Sequence, residues 1–65
     1  MMTTKEIKKA LYERALDAVV NNIPCTEDIY KTAVFLKENG FSNEDARKLL
    51  QWYLSLCLEL AMVNR

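Results

Sequence analysis

Two punctuation points constrain this chain more than anything else in it: its single proline, Pro24, and its single glycine, Gly40. Proline disfavours helical geometry at the residue before it, and glycine enters the left-handed region without a Cβ penalty. Asn21–Asn22–Ile23–Pro24 therefore ends one helix and Asn39–Gly40 ends another. Three runs of helix length remain, expected over 4–21, 27–38 and 43–63. The chain reads as one all-α domain, 1–65, a compact three-helix fold whose third helix is long and broadly apolar.

Local signals sharpen each boundary. Thr3 and Glu6 are spaced as a capping box for the first helix. On a 100-degree wheel Ile7, Leu11, Ala15, Ala18 and Val19 share one side, extended by Tyr12, Leu16 and Val20. Lys9, Glu13, Arg14, Asp17 and Asn21 fall opposite. Thr26 reads as the next N-cap, with Glu27 and Asp28 in the first turn, where the helix dipole favours negative charge. Ile29, Ala33 and Leu36 make the inner line of the second helix, with Tyr30 and Val34 beside them. Phe35 points away from that line, among Asp28, Lys31, Thr32 and Glu38. Beyond Gly40, Phe41 folds back onto Leu36 in the Schellman pattern. Ser42 caps the third helix, with Asp45 at the box position, so the connection is very short.

The third helix is the unusual element. From Leu49 to Val63 its only polar residues are Gln51, Ser55 and Glu59, spaced four apart on one narrow stripe. The apolar arc spans roughly 200 degrees, against roughly 100 for an ordinary surface helix. The run is about 15 residues, short of the roughly 20 that a bilayer needs, and it contains Gln51 and Glu59. It reads as a helix for protein contact, with no membrane partner. Leu49, Trp52, Leu56 and Val63 lie on one flank, Tyr53 and Leu60 along the middle, and Ala46, Leu50, Leu54, Cys57 and Ala61 on the other.

A chain of this length buries only about 60% of its unfolded surface, and two short neighbours cover roughly half of such a helix. The expectation is a homo-oligomer, most simply a twofold dimer. Leu49, Trp52, Leu56, Leu60 and Val63 are its interface, and Phe35 is a second contact point. Tryptophan is among the commonest anchors of such interfaces. A heterologous protein is the other occupant of that flank.

Chemistry is scarce. Nine basic and nine acidic residues cancel and there is no histidine, so the usual proton shuttle is missing. Glu13 with Asp17, and Glu44 with Asp45, read as solvated helix surface and helix N-terminal charge. Three short helices enclose no cleft, and a single glycine cannot build a phosphate-cradling loop. Cys25 and Cys57 stand far apart with no histidine to join them in a zinc site, and read as small buried hydrophobes left unjoined in a reducing cytoplasm. Met1 to Glu6 turns polar at once where a signal sequence turns apolar. No enzyme activity, catalytic residue, cofactor or metal is expected.

Thr32 to Leu50 resembles the DNA-binding helix-turn-helix in outline: a glycine turn, then a capped helix, with Phe41, Ala46 and Leu49 at its buried positions. The motif usually has a small residue where this chain has Leu36. The resemblance implies that Asn43, Arg47, Lys48 and Gln51 face DNA. Glu44 and Asp45 at the start of that helix repel phosphates, and the neutral charge balance disfavours nucleic acid as a partner. Gly40 to Leu50 is also similar to the glycine–aromatic loop of ubiquitin-associated three-helix domains, from which the long apolar third helix departs. Ala33 to Phe41 is similar to the small terminase subunits that package phage DNA. No residue roles are carried over from either. The function expected is a non-enzymatic protein–protein interaction module, a bacterial or phage regulator or inhibitor that self-associates through its third helix. The alternative is a small helix-turn-helix-like DNA-binding regulator or a DNA-packaging accessory protein.

Overall fold

The structure is a computed structural model that describes residues 2–63, apart from the side chain of Cys25. The first helix, α1, runs Thr4–Val20 and begins as its capping box requires. The Glu6 amide donates to Thr3 Oγ1 at 3.2 Å, and the Thr3 amide donates to Glu6 Oε1 at 3.2 Å. These bonds to Thr3, the backbone one foremost, hold the Glu6 carboxyl below the usual carboxylate range.

α1 ends through Asn22, which takes a left-handed φ of 56°. The Ile23 amide donates to Ala18 O at 2.8 Å and the Asn22 amide to Val19 O at 3.2 Å, the two bonds of a Schellman closure. The proline is thus one step removed from the event that stops the helix. Pro24 is instead the N-cap of α2, Cys25–Glu38, and makes no side-chain cap bond. This corrects the sequence expectation, which gave the cap to Thr26 and began the helix at 27. Proline's fixed φ suits a helix entrance, and its missing N–H leaves no donor to satisfy there. Its carbonyl accepts from the Glu27 amide at 2.9 Å, so Thr26 already lies inside the first turn.

α2 ends as expected. Gly40 adopts a φ of 85°, the Phe41 amide donates to Leu36 O at 3.2 Å and the Gly40 amide to Lys37 O at 3.1 Å. Ser42 Oγ accepts from the Asp45 amide at 3.2 Å and opens α3, Asn43–Val63. Every pair of helices is in contact, and α3 packs against both others. The all-α, three-helix fold stands as read from the sequence. No helix among the described residues is long and apolar enough to cross a membrane.

The core consists of Ile7, Leu11 and Ala15 from α1, Leu36 from α2, and Ala46, Leu49, Tyr53 and Cys57 from α3. Three helix faces differ from the sequence expectation. On α2 the buried line runs through Thr32 and Leu36, Phe35 packs against the core, and Tyr30 is 77% exposed. On α1, Tyr12, Leu16 and Val20 stay exposed, whereas Arg14 is drawn inward. On α3, Leu49 is only 7% exposed and belongs to the intrachain core. Cys57 is buried; whether it joins Cys25 concerns a side chain outside the described residues.

Candidate functional site

The polar side chains that converge do so at one place, and each helix contributes. Asp28 enters from the first turn of α2, Thr32 from one turn later, Arg14 from α1 and Tyr53 from the middle of α3. The Tyr53 hydroxyl donates to Asp28 Oδ2 at 2.6 Å. The Thr32 hydroxyl lies 3.2 Å from the same oxygen and 3.0 Å from the Asp28 carbonyl. Arg14 Nη2 reaches both Asp28 Oδ1 and Thr32 Oγ1 at 3.4 Å. Its guanidinium carbon also lies 5.2 Å from the centre of the Phe35 ring, within cation–π range.

Burial sets the electrostatics of this cluster. Tyr53 and Thr32 are fully buried, and the Asp28 side chain retains 17% exposure. Loss of water around Tyr53 and its bond to Asp28 push the phenol well above its ordinary range, so it stays protonated and donating. Both carboxylate oxygens of Asp28 are engaged by protein donors. Arg14 Nε is buried with no hydrogen-bond partner. A shallow cavity of about 140 Å³, lined by Arg14, Asp17, Ala18, Ile23 and Asp28, opens beside the cluster. The arrangement ties three helices at one carboxylate. Its chemical capacity is that of a buried hydrogen-bond tie, with the acceptor already taken.

The sequence placed Asp28 and Thr32 on one face of the second helix around Phe35, but did not bring Arg14 or Tyr53 to them. The available signal was the spacing Asp28, Thr32, Phe35, which puts a carboxylate, a hydroxyl and an aromatic ring on one face of a helix.

The residues expected at a protein interface are divided by the fold. Leu49 lies in the core, and Phe35 is half-buried beneath Arg14. Trp52, Leu56 and Leu60 are half-buried against the core, with Lys8 Nζ of α1 positioned 5.5 Å from the Trp52 ring centre. Val63 is 78% exposed. Large apolar residues in water on α3 also include Leu58, on the opposite flank of the helix, and Met62, which follows Ser55 by seven residues on the line of the polar residues. Gln51, Ser55 and Glu59 are exposed and separate the two flanks as a polar stripe.

The four residues of the DNA alternative, Asn43, Arg47, Lys48 and Gln51, are all exposed on α3. Two are engaged within the chain. Lys48 Nζ lies 3.7 Å from Glu44 Oε1, and Asn43 Oδ1 accepts from Lys37 Nζ at 2.6 Å. Among the described residues no group of three or more potential ligands is placed to hold a metal ion. Compared with models of protein families, with curated proteins and with solved structures, the chain finds no match in any of the three.

Proposed function

We propose that this chain is a non-enzymatic helical interaction module that associates with copies of itself. The observation that carries the reading is the apolar surface left over after three helices have packed. Leu58, Met62 and Val63 near the end of α3, and Val20 at the end of α1, are each at least 66% exposed. Full burial of one such side chain contributes about 1.5–3 kcal/mol, so a set of them weighs heavily against the few kcal/mol that stabilise so small a domain. A formal net charge of zero removes long-range repulsion between copies.

The cluster around Asp28 supports the non-enzymatic part of this reading, because both oxygens of its one carboxylate are spent on Arg14, Thr32 and Tyr53. The ion pair of Lys48 with Glu44 weighs against DNA, since it sets an acidic group beside the basic residues that would meet phosphate. Sedimentation velocity across a hundredfold dilution tests the proposal. The expected result is a mass that rises with concentration and falls in Leu58→Glu, while circular dichroism stays helical. A wild-type chain that remains monomeric at high micromolar concentration overturns it. Salt-dependent retention on nonspecific DNA would instead favour the DNA-binding reading.

A further inference from the structure

We propose that two copies pair through the face shared by α1 and α3, antiparallel about a twofold axis, with Tyr12, Trp52 and Leu56 at the centre. The inference rests on the self-association reading above and adds a contact to it, since Leu58 lies on the opposite flank of α3. Two corners reverse the chain twice, so α1 and α3 run in the same direction. Lys8 Nζ, 5.5 Å from the centre of the Trp52 ring, fixes their relative level and brings two rows of four-residue spacing side by side. On α1 the row continues from Lys8 to Tyr12 and Leu16, which are 45% and 38% exposed. On α3 it continues from Trp52 to Leu56, both half-buried, and Val63 ends the patch at 78% exposure.

Charge selects the second copy and its direction. The N-terminal half of this face carries Lys5, Lys8, Lys9 and Lys48, all exposed, against Glu44 and Asp45. In the C-terminal half the exposed charges are Glu13, at the α1 edge, and Glu59 on α3. Asp17 is turned toward α2, where it lines a cavity with Arg14 and Asp28, and Glu6 is engaged by Thr3. A twofold axis parallel to the helices sets lysines on lysines and glutamates on glutamates. An axis perpendicular to them sets Lys9 of one copy against Glu13 of the other, and Lys48 of one against Glu59 of the other. Lys9, Glu13 and Glu59 make no ion pair among the described residues, and the bridge from Lys48 to Glu44, at 3.7 Å, is exposed. The midpoint of Lys9 and Glu13 is three residues beyond Lys8, and that of Lys48 and Glu59 is one to two beyond Trp52. At the helical rise these levels differ by about 2 Å, so one axis serves both pairs. Tyr12, Trp52 and Leu56 lie within about one turn of that axis, an apolar centre between two charged edges.

Charge reversal decides the matter. Leu58→Glu disables the opposite flank of α3, and by sedimentation velocity it is expected to reduce the wild-type assembly to a dimer. In that background Lys9→Glu sets acid on acid and Glu13→Lys sets base on base, twice per dimer. Each is expected to weaken the dimer about tenfold. An equimolar mixture of the two restores opposite charges at both places and is expected to form a one-to-one heterodimer with the parent's affinity. Recovery on mixing cannot come from helix stability, because each chain carries its own defect into the mixture. Unchanged association in either single reversal, or a mixture no tighter than its components, overturns the antiparallel pairing. So does a Leu58→Glu chain that is monomeric while the wild type associates, which leaves self-association standing. A wild-type monomer at every concentration sinks both readings. Should a reversal lose helicity by circular dichroism, Lys48→Glu and Glu59→Lys repeat the same mixing test on α3.

Discussion

The two corners of the bundle make the same backbone turn from different chemistry. Asn21–Asn22–Ile23–Pro24 and Asn39–Gly40–Phe41–Ser42 each place a left-handed residue second and an apolar residue third. Both send the third residue's amide back to a carbonyl five residues earlier, and both hand the fourth residue to the next helix as its entrance. The second corner has an ideal residue at every place: glycine at the left-handed site, a phenylalanine packed on the core, and a serine that caps. The first has an asparagine at the left-handed site, an isoleucine that is 40% exposed, and a proline that cannot cap with its side chain. What the first corner lacks in local chemistry is made up from inside. Asp28, four residues after Pro24, fixes the start of α2 to both α1 and α3 through Arg14 and Tyr53. One corner is held by its own residues, the other by a tie through the core.

Breaking the tie gives the largest expected effect. Asp28→Ala leaves the Tyr53 hydroxyl buried without its acceptor and removes the anion facing Arg14, and is expected to cost about 2–4 kcal/mol. Urea unfolding followed by circular dichroism measures this; a loss below about 1 kcal/mol would show that the first corner stands without the tie. Truncating the two apolar corner residues sharpens the contrast. Phe41→Ala is expected to cost about 2 kcal/mol and Ile23→Ala less than half as much, because Ile23 surrenders less burial. Equal midpoint shifts would remove the distinction between the corners.

A smaller effect is expected at the left-handed positions themselves. Gly40→Ala forces a Cβ into that region and is expected to cost about 1 kcal/mol. Asn22→Gly is expected to stabilise by a few tenths of a kcal/mol, as Asn tolerates the left-handed region at only a modest penalty. Thermal melts of the two variants should therefore move in opposite directions.

The tie also has a signature in alkali. A phenol whose folded pKa is raised contributes stability that is complete below its unfolded value, about 10, and is lost as pH rises from there toward the folded pKa. Wild-type stability is expected to fall above about pH 10 in part through this group. Tyr53→Phe, itself costing about 1–2 kcal/mol at neutral pH, should flatten that decline. An alkaline limb identical in the two proteins would remove Tyr53 as its source.

This contrast also explains what could be read from the chain beforehand. Capping residues act within four positions of one another, so Thr3 with Glu6, Gly40 with Phe41, and Ser42 with Asp45 announce their structures locally. The tie is assembled from residues up to thirty-nine positions apart, Arg14 and Tyr53, each of which looks ordinary in its own helix. A wheel built on hydrophobicity centres α2 on Ile29, Ala33 and Leu36. The folded helix turns toward Thr32 and Phe35 because Asp28 and Thr32 have hydrogen-bonding partners waiting inside. The long apolar arc of α3 was legible for the same local reason as the caps. Which of its flanks α1 and α2 would cover was not, since that depends on helix packing rather than on α3 alone.

The second corner also carries a chemical clock. Asn39–Gly40 is the dipeptide in which a backbone nitrogen most readily attacks the preceding side-chain amide, expelling ammonia and closing a succinimide ring. In the folded chain the Gly40 N–H is bound to Lys37 O, and Asn39 Nδ2 donates to Phe35 O at 2.7 Å, so neither partner is free to approach the other. The reaction must wait for that helix end to open. Water then opens the ring to aspartate or isoaspartate, a net gain of about one dalton, and slow accumulation of that product at Asn39 would count openings of this corner over days, at a place where no dye or probe has been attached.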